Sequence, residues 1–305
     1  MPNTLIHIGI QTPLTRLGIK EAPLQWIVVG CIIPDIPWIV QRIFTYLPGI
    51  DSLDLRLYSA TQASLVYCLI LSLALAMLAS RSKQIFLILA SNSLFHLLLD
   101  ATQKKWGNGI NLFVPFSWKV TNFGVIWPEH LISSFFILTG LITLAVLWPK
   151  AIQVKQLLQK PNRTKIICIT TCLVFYFCSP ALLLSTAYDA NIHYGKTLSE
   201  HTTRHGKTIE IDRAKYNATT NSLECYIDTN LRIANPPEIE SGIITIRGRF
   251  LNEETLHLEE YHIHKISRDY SSYIGLLLAL FLWSHTFFYH YYKPPQTLTG
   301  TPHDS

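Results

Sequence analysis

The sequence predicts an α-helical polytopic membrane protein of about six spans, with a small all-β module inserted before the last span. Only 15% of the 305 residues are charged and 49% are hydrophobic, whereas a soluble domain has roughly 25% charged residues. Several apolar runs reach the roughly 17–25 residues that a membrane-spanning helix needs. One polar stretch near the C-terminal end alternates in the manner of β-strands instead. The net charge of +5 comes from scattered basic residues, so we expect no nucleic-acid partner.

The apolar runs place the spans along the chain. They predict membrane-spanning helices at residues 23–47, 60–80, 84–101, 130–148, 166–187 and 273–292. The opening segment, residues 1–18, is moderately apolar but contains Pro13, so we expect it to be interfacial or re-entrant. These boundaries divide the chain into a membrane domain at 1–187, a β-rich module at 188–272, the last span at 273–292 and a cytoplasmic tail at 293–305.

The connector at residues 150–165 determines the predicted orientation. Its charged residues are all basic, namely Lys150, Lys155, Lys160, Arg163 and Lys165. Cytoplasmic loops carry an excess of Lys and Arg, so this connector is expected inside the cell. Both termini then lie inside and the module lies outside. Lys104, Lys105 and Lys119 would also lie outside, and they count against this orientation.

Residues 188–272 are predicted to form a small barrel. Ile244 and Ile246 alternate with Thr245 and Arg247, which is the period of a half-buried strand. A chain of this length with about five strands is long enough to close as a barrel, and the OB type is one candidate. Such a barrel could bind a protein or polysaccharide partner, or it could simply cover the membrane domain.

Three predicted spans carry ionisable residues, which are costly in a bilayer and usually face a partner or a cavity. Asp35 lies between Pro34 and Pro37, and each proline disturbs a helical turn. His96 and Asp100 are four residues apart, so they share one helix face and could converge on one ion.

Glu129 and His130 open the fourth predicted span, directly after Pro128. The predicted orientation places them near the same membrane face as His96 and Asp100. A mixture of His, Asp and Glu ligands suits Zn²⁺, Mn²⁺ or a related ion. The alternative is a buried, hydrogen-bonded His–Asp pair that only locks helices together.

The loop at residues 104–118 combines Lys104 and Lys105 with Trp106 and Trp118. Basic and aromatic side chains at a membrane interface are suited to contact anionic head groups. An aromatic belt with snorkelling lysines is the alternative explanation.

Four short motifs occur in a recognisable order. The chain contains His7-Ile8-Gly9, then G-x-x-x-P-D ending at Asp35, then H-L-L-L-D from His96 to Asp100, then Pro115-Phe116. This order resembles a bacterial family of membrane-bound metal-dependent hydrolases, which includes a LexA-regulated inner-membrane protein. The resemblance covers about residues 1–150.

The resemblance implies a set of site residues and a location. The implied metal ligands are His7, Asp35, His96 and Asp100, and Glu129 corresponds to an acidic residue that follows the Pro-Phe loop. The opening segment must then fold back over the site, since His7 could not otherwise reach it. The implied location is the bacterial inner membrane.

The chain departs from this family at one position. The family has an R-G-x-T-H-S segment before its second span, where this chain has Arg56, Thr61 and then Gln62 in place of the histidine. A glutamine ligates weakly through its amide oxygen, and it neither titrates nor acts as a base. The substitution therefore bears on both metal affinity and activity.

Two further histidine pairs are expected to be solvated. His262 and His264 project to one face of a predicted strand and could bind a metal, but a solvated face is the more common situation. His201 and His205 are four residues apart in a polar stretch, and the same expectation applies to them.

Two hypotheses of function follow. In the first, the protein is a membrane-embedded metal-dependent hydrolase that acts on phosphoester or lipid-linked substrates, with Glu129 and Asp100 taking part in catalysis. Arg56, Lys104 and Lys105 would hold an anionic head group. In the second, the protein is a non-catalytic membrane scaffold or assembly factor, whose outer module binds a protein or polysaccharide. The departure from the family favours the scaffold, whereas the intact H-L-L-L-D motif favours the enzyme.

Overall fold

The computed structural model describes residues 3–45, 47–153, 158–227, 230–265 and 267–292. The predicted cytoplasmic tail, residues 293–305, lies outside the described residues. The helices are α1 (Thr4–Gly18), α2 (Leu24–Ile32), α3 (Ile36–Phe44), α4 (Ser52–Gln62), α5 (Leu65–Ala76), α6 (Ser82–Ala101), α7 (Leu131–Ala151), α8 (Arg163–Leu182), α9 (Leu184–Asp189), α10 (Gly195–Ser199) and α11 (Ser267–Tyr292). The strands are β1 (Thr208–Asn217), β2 (Ser222–Glu224), β3 (Leu231–Ile233), β4 (Gly242–Phe250) and β5 (Thr255–Ile263).

Five helical segments in the described part of the chain are long and apolar enough to cross a membrane. They are Leu24–Phe44, Ser82–Ala101, Leu131–Ala151, Arg163–Leu182 and Asp269–Tyr289. Helices α4 and α5 would make a sixth if they formed one span, although they are bent by 68°. The segments coincide with the predicted ones to within a few residues, except for the span predicted at 60–80.

The bend between α4 and α5 corrects the prediction at 60–80. Residues 48–59, which connect the first two predicted spans, lie largely in the helix α4. The Asp51 carboxylate caps the first N–H groups of this helix. Ser64 then has an extended backbone, and its hydroxyl donates to the carbonyl of Val114. The chain changes direction there, so α5 begins five residues later than predicted and has only 12 residues.

Helix α1 lies inside the helical bundle. It packs against α2, α6, α7 and α11, and most of its inner face, including His7 and Gln11, is buried. A Cβ on Gly9 would lie only 2.7 Å from the nitrogen of Gly140 on α7. Gly275 on α11 lets α1 approach just as closely on another side. Small residues allow helices to pack at such short range.

The prediction that residues 1–18 are interfacial or re-entrant stays a prediction, whereas the fold-back that brings His7 into the protein is present. The helix continues through Pro13 without interruption. Proline tends to break helices by removing one hydrogen bond, but here the packing of α1 against four neighbouring helices maintains the helix.

The module is a closed five-stranded barrel with the strand order β1-β2-β3-β5-β4. β3 and β5 pair in parallel, and the other neighbouring strands pair antiparallel. Every strand contributes apolar side chains to the core, among them Ile211, Leu223, Leu231, Ile246 and Leu256. The predicted β barrel is therefore confirmed.

The beginning of the module is helical instead of β. The stretch 188–203 contains the end of α9, the short helix α10 and two single 3₁₀ turns. Asn191, His193 and Tyr194 all have positive φ values of 51–60°. Non-glycine residues rarely adopt this conformation, and it is incompatible with an extended strand.

The barrel is seated on the loop that precedes α7. The carboxylate of Glu210 accepts the backbone N–H of Gly107 at 2.7 Å, and that of Asp212 accepts the side-chain amide of Asn108 at 2.9 Å. Gly107 has a φ of +69°, and a Cβ there would collide with the backbone of Glu210. The loop at residues 104–118, which was expected to meet head groups or form an aromatic belt, therefore also docks the barrel. Both of its partners, Glu210 and Asp212, lie on strand β1.

Candidate metal centre

Four predicted ligands converge in the interior of the helical bundle. His7 comes from α1 and Asp35 from the turn between α2 and α3, while His96 and Asp100 come from α6. His7 Nε2 lies 3.3 Å from Asp100 Oδ1. His96 Nε2 lies 3.7 Å from Asp35 Oδ1 and 3.8 Å from Asp100 Oδ2. The two imidazole rings stack in parallel, with centroids 3.8 Å apart.

A backbone carbonyl fixes the tautomer of His96. Its Nδ1 lies 2.6 Å from the carbonyl oxygen of Cys31. That oxygen can only accept a hydrogen bond, so Nδ1 carries the proton. The carbonyl is near the ring because α2 ends just before Pro34, whose ring disfavours continuation of the helix. In the neutral form of the ring, His96 then presents the lone pair of Nε2 to the two carboxylates.

The side-chain amide of Gln11 fixes the tautomer of His7 in the same way. With its oxygen toward His7, this amide accepts from His7 Nδ1 at 3.0 Å and from the backbone N–H of His96 at 3.2 Å. Its nitrogen then donates to both the backbone and side-chain oxygens of Asn92. This orientation follows from the hydrogen-bond network. In the neutral form of the ring, His7 Nε2 then carries a lone pair and faces Asp100.

The cluster therefore brings two imidazole lone pairs and two carboxylates together in a buried space. Three of its atoms, His7 Nε2, Asp35 Oδ2 and Asp100 Oδ1, are buried without a hydrogen-bond partner. Unsatisfied buried acceptors are costly, and several that face one another repel. A divalent cation held by His7, His96 and Asp100, whose ligand atoms lie within 4.8 Å of one another, would satisfy His7 Nε2 and Asp100 Oδ1. The hydrogen-bonded Nδ1 atoms are the arrangement that orients metal-bound histidines. The residues present therefore fit a metal ion.

Lys105 compensates part of the negative charge that the two aspartates bring to the cluster. Its ammonium lies 3.1 Å from Asp100 Oδ2, and both side chains are less than 10% exposed. Asp100 thus has one oxygen toward Lys105 and the other toward His7. Among the described residues Asp35 forms no ion pair with a lysine or arginine, so a cation bound beside it would neutralise its carboxylate.

A cavity of about 290 Å³ opens beside the cluster. Asp35, His96 and Asp100 line it on the side of the helices, and Asp212 and Tyr226 line it on the side of the barrel. The barrel is therefore a wall of the candidate site. The prediction that the module covers the membrane domain agrees with this arrangement.

Arg56 lies in the same cavity. Its guanidinium stacks over the ring of Tyr226 at 4.2 Å and lies 5.9 Å from the ring of Trp38. Its Nε is buried without a hydrogen-bond partner. Stacked guanidinium groups keep their N–H donors in a fixed plane, which suits bidentate binding of phosphate or carboxylate. Arg56 and Lys105 are thus placed as the predicted anion-binding residues.

The other predicted site residues lie elsewhere. Lys104 lies over the ring of Trp127 at 5.9 Å. His130 caps α7, where its Nδ1 accepts the N–H of Ile132. Glu129 contacts His262 and His264 of the barrel, and its role as general base at the buried cluster stays a prediction.

Gln62 points away from the buried cluster. Ala60 and Ala63 of the same stretch line the cavity, whereas the Gln62 amide donates to the carbonyl of Tyr176 at 3.0 Å and to the hydroxyl of Tyr58 at 3.3 Å. The side chain therefore packs toward α8. The departure from the family at this position does not remove any of the four converging groups.

Replacing Gln62 with histidine should leave metal affinity within about twofold of wild type. The new imidazole would face α8, and loss of the amide hydrogen bonds should cost about 1 kcal/mol of stability. Metal titration of the detergent-purified variant tests this, with His96→Ala as the control that loses binding at the buried centre. A tenfold tightening in Gln62→His would show that position 62 borders the metal.

Glu129 belongs to a second cluster with His262 and His264. Its Oε2 lies 3.3 Å from His262 Nε2, and its Oε1 lies 2.7 Å from His264 Nδ1. The ring of His262 stacks on Trp127 with centroids 3.6 Å apart, and burial lowers the pKa of His262. The prediction that these two histidines lie on a solvated face is therefore wrong, because the loop before α7 covers that face.

Sequence reasoning could have found this second cluster only in part. The His-x-His spacing on a strand was visible, but its acidic partner lies more than 130 residues away along the chain. No family model, curated protein or solved structure matches the chain.

Proposed function

We propose that the protein is a membrane-embedded, metal-dependent hydrolase that acts on a phosphoester substrate. The observation that carries the proposal is the convergence of two histidines and two aspartates, with three buried atoms that lack a hydrogen-bond partner. The resemblance of residues 1–150 to bacterial membrane-bound metal-dependent hydrolases supports the same reaction class.

His7, Asp35, His96 and Asp100 would hold the ion, with Zn²⁺ or Mn²⁺ as the candidates. A bound ion of this kind lowers the pKa of water and polarises a phosphoryl oxygen. All four side chains are buried, while the cavity lined by Asp35, His96 and Asp100 leaves one side open to a substrate.

The chain's own side chains provide anion binding and proton transfer. Arg56 and Lys105 line the cavity and would bind the phosphate oxygens, because both are cations close to the cluster. Asp35 Oδ2 has no partner and Asp35 borders the cavity. This oxygen is placed to accept a proton from the attacking water, the role that the sequence alone assigned to Glu129.

A phosphoester assay tests this proposal. The purified protein should hydrolyse p-nitrophenyl phosphate or bis(p-nitrophenyl) phosphate when loaded with Zn²⁺ or Mn²⁺, and turnover should stop in excess chelator. Arg56→Gln should raise KM by about tenfold, since one charge-assisted contact is worth roughly 1.4 kcal/mol or more. Arg163→Gln, on the far connector, is the control.

The alternative is a scaffold whose barrel binds a partner. The strand order, with a five-stranded closed barrel and one parallel pair, agrees with the OB type, and OB barrels commonly bind oligosaccharides or oligonucleotides. Metal-independent turnover, or no turnover with any of these esters, would favour this alternative over the hydrolase.

We also propose that the barrel lies outside the bacterial inner membrane and that both termini lie inside. The basic connector at 150–165 supports this orientation, since positively charged loops stay in the cytoplasm. The apolar and largely exposed surfaces of α7 and α8 are suited to lipid contact. The metal centre would then open toward the outer face, where a lipid-linked substrate could reach the cavity.

Cysteine labelling tests the orientation. Thr219→Cys, on an exposed turn of the barrel, should react with a membrane-impermeant maleimide in intact cells from which the outer membrane has been removed. Lys160→Cys should react only after lysis. The background replaces the partly exposed native cysteines by serine, at Cys168, Cys172, Cys178 and Cys225. The reverse pattern would invert the topology.

A further inference from the structure

The cluster at the base of the barrel contains a hydrogen-bond chain that fixes a histidine tautomer. Thr245 Oγ1 lies 2.9 Å from Asp212 Oδ1. A carboxylate can only accept, so the single hydroxyl hydrogen of Thr245 goes to Asp212. His264 Nε2 lies 2.7 Å from the same hydroxyl oxygen. Since that oxygen has no second hydrogen to give, His264 Nε2 must donate its own.

His264 in its neutral form therefore has a lone pair on Nδ1. This atom lies only 2.7 Å from Glu129 Oε1. Two acceptors at this distance repel each other unless a proton or a metal ion lies between them. The second carboxylate oxygen of Glu129 faces another imidazole nitrogen, His262 Nε2, at 3.3 Å.

The three side chains are arranged as metal ligands. One nitrogen from each histidine and one oxygen of Glu129 lie within 4.8 Å of one another. Tetrahedral zinc sites place bonded atoms roughly 3.3 Å apart, because each bond is about 2.0–2.1 Å long. Thr245 accepts the outer N–H of His264, which is the partner that holds a metal-bound histidine in orientation. Stacking on Trp127 holds the ring of His262.

The position of the cluster gives an ion access from solvent. The side chain of His262 is 24% exposed, whereas those of Glu129 and His264 are 8% and 2% exposed. A Zn²⁺ ion could enter beside His262 and displace the proton that otherwise lies between His264 Nδ1 and Glu129 Oε1. Glu129 belongs to the loop before α7, and both histidines lie at the end of β5, so such an ion would bridge the helices and the barrel.

We infer that Glu129, His262 and His264 form a second Zn²⁺ site, which clamps the barrel onto the loop that precedes α7. This site is independent of the buried centre and of the proposed hydrolase activity. Its two histidines and one carboxylate leave a fourth position for water, as in three-ligand zinc sites.

Zinc binding to the full-length, detergent-purified protein tests this inference, with a purification tag that contains no histidine. Wild type should bind two equivalents. Glu129→Gln, which keeps the shape of the side chain, and His262→Ala should each bind one equivalent. His257→Ala, an exposed histidine of the same strand, should still bind two. Saturating Zn²⁺ should raise the thermal midpoint of His96→Ala, but not that of the double variant His96→Ala/Glu129→Gln.

The outcomes separate this site from the buried centre. If the buried centre binds no metal, wild type binds one equivalent, and Glu129→Gln removes it while His96→Ala does not. If Glu129→Gln and His262→Ala bind as much Zn²⁺ as wild type, the second site does not exist and the cluster is a protonated hydrogen-bond network. His262→Ala, the more exposed change, keeps the test interpretable if Glu129→Gln fails to fold.

Discussion

Replacing His96 with alanine should abolish metal binding at the buried centre and, with it, phosphoester hydrolysis. His96 is the one side chain of the cluster that lies between both carboxylates, within 3.8 Å of each. A metal bound at 100–1,000 times its Kd stabilises the folded protein by about 2.7–4.1 kcal/mol. Wild type should therefore lose more thermal stability in chelator than His96→Ala, whose remaining response comes only from the site at Glu129, His262 and His264.

The chelator distinguishes a ligand from a structural residue. His96→Ala also removes a buried ring and its hydrogen bond to Cys31, and this part of the destabilisation persists without metal. Only the chelator-dependent part reports on the ion. His285→Ala, on α11, removes a hydrogen-bond acceptor of Trp148 in another helix pair and should retain the wild-type response to chelator. Equal chelator responses in wild type and His96→Ala would rule out the buried centre.

Asp100→Asn should destabilise the apoprotein by about 3–5 kcal/mol. The Lys105 ammonium would lose its carboxylate while its side chain stays buried, and an uncompensated buried charge costs this much. Equilibrium unfolding in mixed detergent micelles, in chelator, measures this change without any contribution from metal.

A double variant isolates the charge. Asp100→Asn/Lys105→Met should be more stable than Asp100→Asn alone, because the unpaired ammonium is gone. The exposed ion pair between Lys196 and Asp189, at 2.9 Å, is the matched control. Asp189→Asn should change stability little, because water screens that pair. If Lys105→Met brings no recovery, the cost of Asp100→Asn does not arise from the buried charge.

Local spacing was the part of the site that could be predicted from sequence. The i and i+4 positions of His96 and Asp100 place them on one face of any helix, and the prolines around Asp35 indicated a broken helix. The structure confirms both features. His7 was accessible only through the resemblance to a family, because nothing in its own neighbourhood indicates that α1 folds into the bundle.

The contacts between distant segments could not be predicted. Glu129 was assigned to the buried centre from its position at the start of a span, but it contacts histidines of β5 instead. Lys105 was expected to bind a head group, and it forms a buried ion pair with Asp100. Sequence patterns indicate which face of a helix or strand a residue occupies. Which distant side chain it contacts there depends on how the barrel docks on the helices.

The burial of α1 has a consequence for biogenesis. Helix α1 carries His7, but its seat consists partly of α7 and partly of α11, both of which are synthesised after it. Gly140 and Gly275 provide the close contacts on those two sides. A chain grows from its N-terminus, so α1 must wait for α11 before it can settle. Truncated or stalled chains that lack α11 would therefore present no complete centre, which couples assembly of the centre to synthesis of α11.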